Sequence, residues 1–169
     1  MSETMRKKEN FKILIVDDDP QLCRMLSSYL GKVHYEDINI EVKCFETGEE
    51  CLTELNSSPD VIVLDYYLNS EVPNAKSGLQ ILKEIRARNR AIPVFVLSSQ
   101  SQMVITAEML KAGANEYVVK DNATSMRVAG LVQKTINDKV HKRKVVSRWW
   151  LAAALFIAAL LVMAVKSNT

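Results

Sequence analysis

Five short apolar runs, rich in valine and isoleucine, alternate with segments of helical periodicity over the first 120 residues. This alternation is typical of βα units, in which helices connect the parallel strands of one sheet. The runs are apolar on both faces, as expected for strands buried inside such a sheet. We therefore predict an α/β domain with strands at residues 11–16, 39–45, 60–64, 93–97 and 115–119.

Helix-start signals lie between the predicted strands. Asp19 precedes Pro20, which suits the first turn of a helix, and Thr47 with Glu50 has the spacing of a capping box. Ser77 stands ahead of another segment of helical periodicity. These signals predict helices beginning near residues 20, 48 and 78.

Polar residues of different kinds stand where the apolar runs end. Asp17 and Asp18 follow the first predicted strand, Asp65 the third, Ser98 the fourth and Lys120 the fifth. In an open parallel sheet the carboxyl ends of the strands line one crevice, where ligands bind. The acids, the hydroxyl and the amine are therefore expected to converge.

The converging acids point to a metal ion before they point to a reaction. A phosphate cannot approach bare carboxylates such as Asp17 and Asp18 unless a cation lies between them. Oxygen ligands that include carboxylates suit Mg2+. With a metal in place, Asp65 could act as nucleophile towards a phosphoryl group, while Lys120 and Ser98 stabilise charge on the transferred oxygens.

Four ordered segments carry a resemblance to a known family. Residues 13–20 (ILIVDDDP), Leu64–Asp65, residues 93–98 (PVFVLS) and residues 113–120 (GANEYVVK) resemble the receiver domain of two-component response regulators. The resemblance covers about residues 11–138. It implies a doubly wound, flavodoxin-like, five-stranded parallel sheet with strand order 2-1-3-4-5.

The resemblance also implies a phosphoacceptor and its metal ligands. The residue that matches Asp65 accepts a phosphoryl group from a histidine kinase or a histidine phosphotransfer protein. Those that match Asp17 and Asp18 hold Mg2+, together with Asp65 and the backbone carbonyl of Tyr67. Such a domain catalyses its own phosphorylation and dephosphorylation without being a conventional enzyme.

Three further positions match the residues that respond to phosphorylation in the family. Ser98 corresponds to the hydroxyl that binds the phosphoryl oxygen, and Lys120 corresponds to the lysine that pairs with it. Tyr117 matches an aromatic residue whose rotamer follows phosphorylation. Packing at the edge of the sheet is the alternative interpretation of Tyr117.

The chain departs from the family's pattern at several positions. Asp121 follows Lys120, where the family usually has a proline, often with a cis bond. An acid there would either draw the amine away from the phosphoryl group or cap the last helix, and we favour the cap. Gly78 comes later than the family's glycine, Ser99 replaces the usual alanine, and Gln100 occupies a variable position.

The carboxyl-terminal region predicts a membrane anchor. A basic segment at residues 139–148 precedes residues 149–165, which carry no charge. As a helix that stretch would span roughly 25 Å, somewhat short of a hydrocarbon core of about 30 Å. The tryptophans at 149 and 150 suit the headgroup region, and the basic segment obeys the positive-inside rule. A buried helix of an oligomer and a segment on the membrane surface are the alternatives.

The predicted organisation therefore has five parts. A tail at residues 1–10 precedes the receiver domain at 11–138, the basic juxtamembrane extension at 139–148, the transmembrane helix at 149–165 and a short tail at 166–169. The domain would face the cytosol from a single-pass anchor in the cytoplasmic (inner) membrane. The basic segment could instead bind nucleic acid, but its place beside the span favours topology.

The three cysteines are interpreted as reduced packing residues. Cys23, Cys44 and Cys51 form no CxxC pair, and the count is odd in a chain without an export signal. The short apolar run before Asp17 does not resemble a signal peptide.

Two other functions compete with a phosphorylated receiver. A haloacid-dehalogenase-like phosphohydrolase would use Asp17 and Asp19 as a DxD motif, but Gln21 departs from that motif and Asp65 would have no function. A pseudo-receiver, not phosphorylated, would serve as a membrane-tethered interaction module. With no stretch left for a helix-turn-helix, no nucleic-acid partner is expected. Output is expected through protein contacts of the fourth helix, fifth strand and fifth helix, with a membrane protein or a second copy.

Overall fold

The computed structural model describes residues 8–32, 37–68, 75–101, 103–142 and 149–150. Five strands form one sheet in the order β2-β1-β3-β4-β5, and each neighbouring pair is parallel. The strands are β1 (Glu9–Val16), β2 (Ile38–Phe45), β3 (Val61–Asp65), β4 (Val94–Ser98) and β5 (Glu116–Val119). The predicted strands and the order 2-1-3-4-5 are confirmed, with differences of one or two residues at most strand ends.

Helices connect the strands, and the predicted caps form at their starts. The helices are α1 (Pro20–Gly31), α2 (Gly48–Glu54) with a 3₁₀ turn (Leu55–Ser57), α3 (Gly78–Arg88), α4 (Met103–Lys111) and α5 (residues 124–142). Asp19 caps α1 by accepting from the backbone N–H of Gln21 at 2.8 Å. Thr47 accepts from Glu50 in α2, and a reciprocal capping box forms at Ser77 with Gln80.

Two inner strands of the sheet, β3 and β4, are buried along their whole length. Every residue of β3 and β4 is buried, whereas the edge strand β2 is partly exposed. One face of the sheet packs against α2 and α3 through Ile62, Leu64, Ile81, Leu82 and Ile85, all fully buried. Burying each such side chain stabilises the fold by about 1.5–3 kcal/mol. The strand ends that carry the polar residues are therefore held by a well-packed core.

The prediction that all three cysteines are reduced is wrong for two of them. Cys23 on α1 and Cys44 on β2 are joined by a disulfide, with their Cα atoms 6.3 Å apart. The sequence spacing gave no sign of the bond because α1 brings together residues that are 21 positions apart. Cys51 is a free, buried thiol, as predicted, and burial raises its pKa to about 12.

Alkylation should reveal this pairing directly. In the denatured but unreduced chain, we expect iodoacetamide to modify Cys51 alone, since the sulfurs of Cys23 and Cys44 are bonded to each other. After reduction, all three cysteines should be modified. Intact mass measures the number of adducts, and three adducts before reduction would contradict the disulfide.

The chain divides into two compact units, Met1–Val132 and Gln133–Thr169, and the sheet lies in the first. Within the second, α5 continues to residue 142, and residues 149 and 150 are again helical with exposed tryptophan side chains. The rest of the predicted span at 149–165 lies outside the described residues. Among the residues that the structure describes, no helix has both the length and the hydropathy needed to cross a membrane.

Candidate active site

Strand register aligns the carboxyl ends of the sheet. Val16 pairs with Leu64 at the ends of β1 and β3, and Asp65 pairs with Leu97 on β4. Ser98, the last residue of β4, pairs with Val119, the last residue of β5. The residues that follow these strands therefore open onto the same edge of the sheet.

Three carboxylates gather at this edge. Asp17, Asp18 and Asp65 each offer an oxygen, and these oxygens lie within 4.8 Å of one another. Asp17 and Asp65 are buried, at 2% and 4% exposure, whereas Asp18 is exposed. The N–H of Asp19 donates to Asp17 Oδ1 at 3.0 Å, so the start of α1 fixes the orientation of that carboxylate. The acids predicted to converge do so.

Lys120 reaches into the acidic cluster from the end of β5. Its Nζ donates to Asp17 Oδ2 at 2.7 Å and lies 3.0 Å from Asp65 Oδ1. Its backbone N–H donates to the carbonyl of Ser98 at 2.7 Å, and this hydrogen bond joins the chain after β5 to the end of β4. One ammonium thus faces the two buried carboxylates.

Burial and neighbouring charges shift the pKa values of Asp17, Asp65 and Lys120. Burial raises the pKa of Asp17 above its ordinary value of 3.8, and the hydrogen bond from Lys120 offsets this only in part. Burial, followed by the charge of Asp17, raises the pKa of Asp65 as well. Burial alone would lower the pKa of Lys120, but its bond to Asp17 and the charge of Asp65 raise it above 10.5. The lysine is therefore a cation at neutral pH.

Ser98 and Tyr117 both contact the loop between β4 and α4. Ser98 is fully buried, and its Oγ accepts from the backbone N–H of Gln100 at 3.2 Å, whereas Ser99 is exposed. The half-buried Tyr117 donates from its hydroxyl to the carbonyl of Gln100 at 2.6 Å and packs against the core. Both side chains therefore hold the same loop residue.

Tyr67 lies two residues after Asp65, in the bend that follows β3. Its ring stacks edge to face with that of Tyr66, with the ring centres 4.6 Å apart. Metal coordination by its backbone carbonyl stays a prediction, as do the functions assigned to Ser98 and Tyr117.

Asp121 caps the turn that leads into α5. Its Oδ1 accepts from the backbone N–H of Ala123 at 2.7 Å, and its own N–H donates to Thr124 Oγ1 at 2.7 Å. Both Asp121 oxygens also accept from Arg127, at 2.8 and 3.0 Å. Sequence reasoning did not single out Arg127; the signal was an arginine six residues after an acid that caps the same helix.

Gly78 is required by a close backbone approach beside Asp65. Its N–H donates to the carbonyl of Tyr66 at 3.1 Å. A Cβ at this position would overlap the carbonyl oxygen of Asp65 and would lie 2.8 Å from the Cα of Tyr66. Since these neighbours are backbone atoms, they cannot move aside without shifting the strand end.

Gly78→Ala should therefore destabilise the protein and disturb the site. Overpacking of this kind costs about 1–3 kcal/mol, which thermal unfolding would show as a lower Tm. Gly130→Ala is the matched control, because a Cβ at this position in α5 meets nothing within 4 Å and alanine favours the helix. Equal Tm values for the two variants would contradict the close approach.

The donor set of the cluster fits a hard divalent cation. Three carboxylates within 4.8 Å repel one another, and oxygen ligands are those that Mg2+ prefers. Asp65 Oδ1 is buried, accepts no hydrogen bond from the described residues and lies 3.0 Å from the ammonium of Lys120. An oxygen left in this state is a suitable metal ligand.

Asp65→Asn should stabilise the metal-free protein. The pKa of Asp65 in the folded state lies above 3.8, so ionising this carboxyl group opposes folding. The free-energy cost of ionisation is absent below pH 3.8, grows as the pH rises towards the folded-state pKa and is complete above it. The variant's gain in Tm in EDTA should therefore be larger at pH 7 than at pH 4. Mg2+ should raise the Tm of the wild type more than that of the variant, since a bound metal stabilises the native state. A lower Tm for the variant at pH 7 in EDTA would contradict this expectation.

The fold and the site together define a class of protein. The class is a doubly wound α/β domain with an acidic, metal-type cluster, a buried hydroxyl and a lysine at the carboxyl edge of its sheet. The sequence profile of the response regulator receiver domain matches residues 13–131, and the chain belongs to this family. It therefore contains a receiver domain of two-component signalling. Receiver domains in general bind Mg2+ at an acidic cluster and interact with histidine kinases or phosphotransfer proteins.

Curated relatives and solved structures agree with this assignment. The chain is 32% identical over 108 residues to the transcriptional regulatory protein MalR of Bacillus subtilis, a match that covers 64% of the chain and 43% of MalR. It is 33% identical over 111 residues to the chemotaxis protein CheY1 of Helicobacter pylori, covering 64% of the chain and 84% of CheY1. The BeF3-activated receiver domain of DrrB, a Thermotoga maritima response regulator, superimposes with a TM-score of 0.63 at 28% identity, covering 75% of this chain and 97% of that domain.

Proposed function

We propose that the protein accepts a phosphoryl group on Asp65 from a phosphohistidine donor, with Mg2+ bound at the acidic cluster. The observation that carries this proposal is the arrangement at the end of β3. A buried carboxylate with an oxygen that accepts no hydrogen bond from the described residues lies 3.0 Å from a lysine and close to two further acids. A nucleophile, a cation and a set of metal ligands are thus present at one edge of the sheet.

The chemistry is a phosphoryl transfer between two side chains. A carboxylate oxygen of Asp65 attacks the phosphorus of the donor, an O–P bond forms, and the P–N bond to the donor imidazole breaks. The electron pair of that bond leaves with the imidazole nitrogen, which takes up a proton. The product is an acyl phosphate on Asp65.

The neighbouring residues stabilise the charge that develops during transfer. Asp17, Asp18 and Asp65 would hold Mg2+, which supplies Lewis-acid neutralisation of phosphoryl oxygens when it is bound. Lys120, a cation at neutral pH, would leave its pair with Asp65 and bind a phosphoryl oxygen. Ser98 would donate its hydroxyl to another oxygen, as the residue at this position does in the family.

Intact mass tests this proposal directly. The full-length chain in detergent micelles is treated with acetyl phosphate, with either Mg2+ or EDTA. We expect one phosphoryl adduct in Mg2+ that alkali removes, because acyl phosphates hydrolyse in base, and no adduct in EDTA. An unchanged mass in Mg2+ would reject the proposal and would favour a pseudo-receiver that acts through binding alone.

We also propose that residues 149–165 anchor the receiver in the cytoplasmic membrane, with the domain facing the cytosol. The support is the absence of charge over this segment and the basic segment at 139–148 before it. The exposed side chains of Trp149 and Trp150, at 73% and 74% exposure, suit a headgroup environment.

Alkaline carbonate extraction distinguishes an anchor from a surface association. The full-length chain should stay with the membrane pellet, whereas a chain truncated after residue 148 should be released. Release of the full-length chain by carbonate would reject the anchor and leave the receiver assignment unaffected.

Output is proposed to pass through protein contacts at the membrane, with a membrane protein or a second copy of the chain. The surface formed by α4, β5 and α5 is the proposed contact, since β5 carries both Tyr117 and the strand end that leads to Lys120. Crosslinking in membranes should differ between phosphorylated wild type and Asp65→Asn. Identical patterns would reject coupling between phosphorylation and these contacts.

A further inference from the structure

The position after Lys120 is held in place by hydrogen bonds, whereas the family usually has a proline there. The chain has Asp121 there, and the peptide bonds of the described residues are all trans. Asp121 has both its backbone and its side chain bonded, through Ala123, Thr124 and Arg127. Hydrogen bonds of Asp121 thus restrict the backbone where the ring of a proline does so in the family.

One guanidinium holds the residues on both sides of Lys120. Arg127 donates to the two carboxylate oxygens of Asp121 at 2.8 and 3.0 Å, which is the bidentate arrangement that suits arginine. It also donates to the backbone carbonyl of Val119, the last residue of β5. We call Arg127, with its contacts to Val119 and Asp121, the arginine clamp.

Both the backbone and the side-chain ammonium of Lys120 have partners. Its backbone N–H donates to Ser98, and its Nζ reaches Asp17 at 2.7 Å and Asp65 at 3.0 Å. A lysine side chain has four rotatable bonds, so the reach of its ammonium depends on where its Cα is fixed. The arginine clamp fixes the chain immediately before and after that Cα.

We propose that the arginine clamp positions Lys120 for phosphoryl transfer and so takes the place of the family's proline. This proposal rests on the proposed function, since it concerns the rate at which Asp65 is phosphorylated. The contacts of Arg127 in the clamp are with Val119 and Asp121, on either side of Lys120, so it would act on transfer only through Lys120. It is therefore a positioning residue.

The exposure of the clamp separates a positioning function from a stabilising one. The side chains of Arg127 and Asp121 are 37% and 52% exposed. Exposed ion pairs contribute little to stability, because solvent screens them. Misplacing a catalytic group, in contrast, slows a reaction strongly even when the fold is intact.

The test measures the initial rate of Asp65 phosphorylation in the full-length chain, with acetyl phosphate and Mg2+. We expect Arg127→Ala to be about 10-fold slower than wild type, with circular dichroism unchanged. Arg127→Lys should remain slow, because one ammonium cannot hold Val119 and both oxygens of Asp121. Lys43→Ala is the matched control, because it breaks a similarly exposed ion pair, that of Lys43 on β2 with Glu54, at 3.0 Å. This variant should be phosphorylated at the wild-type rate.

A double-mutant cycle with Lys120→Met shows whether Arg127 acts through the lysine. Once Lys120 is gone, Arg127→Ala should slow labelling no further, since its effect passes through the missing residue. A wild-type rate in Arg127→Ala, a full rescue by Arg127→Lys, or an equal further loss in the Lys120→Met background would each overturn the proposal. If Arg127→Ala fails to fold, Asp121→Asn replaces it, because asparagine keeps the cap and weakens the pair. Failure of the wild type to label would reject the proposed function instead.

Discussion

Asp65→Asn is expected to abolish the Mg2+-dependent phosphoryl adduct. The side-chain amide of asparagine is a much weaker nucleophile than the carboxylate of Asp65, so no acyl phosphate can form. Asp65 is 4% exposed at the end of β3, and the hydroxyl-bearing Ser98 at the end of β4 is fully buried. Intact mass after treatment with acetyl phosphate measures the adduct.

Asp138→Asn serves as the matched control for this substitution. It makes the same chemical change at an exposed position of α5, and it should label like the wild type. An adduct that survives in Asp65→Asn would assign phosphorylation to another residue. The Tm in EDTA gives a second check, because the variant should unfold at a higher temperature than the wild type.

Lys120→Met should slow phosphorylation of Asp65 by about 10²-fold or more, the loss typical of removing one preorganised donor from a transition state. The ammonium of Lys120 lies 3.0 Å from Asp65 Oδ1, and its raised pKa keeps it charged at neutral pH. Methionine keeps much of the length and removes the charge. Initial rates of labelling measure the effect.

Two further variants separate charge from position in this prediction. Lys83→Met removes an exposed lysine on α3 and should not change the rate. Lys120→Arg keeps the charge with a different geometry, and an intermediate rate is expected because a guanidinium is a wide fork rather than a point charge. An unchanged rate in Lys120→Met would show that the ammonium does not contribute to transfer.

The structure also indicates what phosphorylation would have to change. In the structure, Lys120 donates a hydrogen bond to Asp17 and forms an ion pair with Asp65. A phosphoryl group on Asp65 would offer the lysine a new partner, while Ser98 would exchange its bond from Gln100 for one to phosphate. Since the hydroxyl of Tyr117 also binds Gln100, the β4–α4 loop connects these residues. That connection links the acceptor to the proposed contact surface.

Local signals in the sequence were sufficient for the secondary structure. Apolar runs of strand length predicted β3 and β4 within one residue, because fully buried strands are apolar on both faces. Asp19 and Ser77 act as helix caps as their spacing predicted, since a cap depends on residues within one turn. The order of the strands came from resemblance to a family and is confirmed.

The candidate site was predictable in its residue types and less so in its contacts. That Asp17, Asp65 and Lys120 would meet followed from strand ends that share one edge of a parallel sheet. That one ammonium would form ion pairs with both buried acids did not follow, because the lysine is 103 positions away from Asp17. Such pairings depend on how side chains of different strands are aimed, which no local pattern encodes.

The sequence by itself determined where the strands and caps lie and which polar residues stand at the strand ends, because these properties depend on neighbours along the chain. Tertiary structure alone decided the disulfide of Cys23 with Cys44 and the backbone approach that requires Gly78. Each of these joins atoms that become neighbours only when helices and loops pack against the sheet. The physical reason is therefore distance in space, which hydrophobic periodicity and residue spacing do not specify.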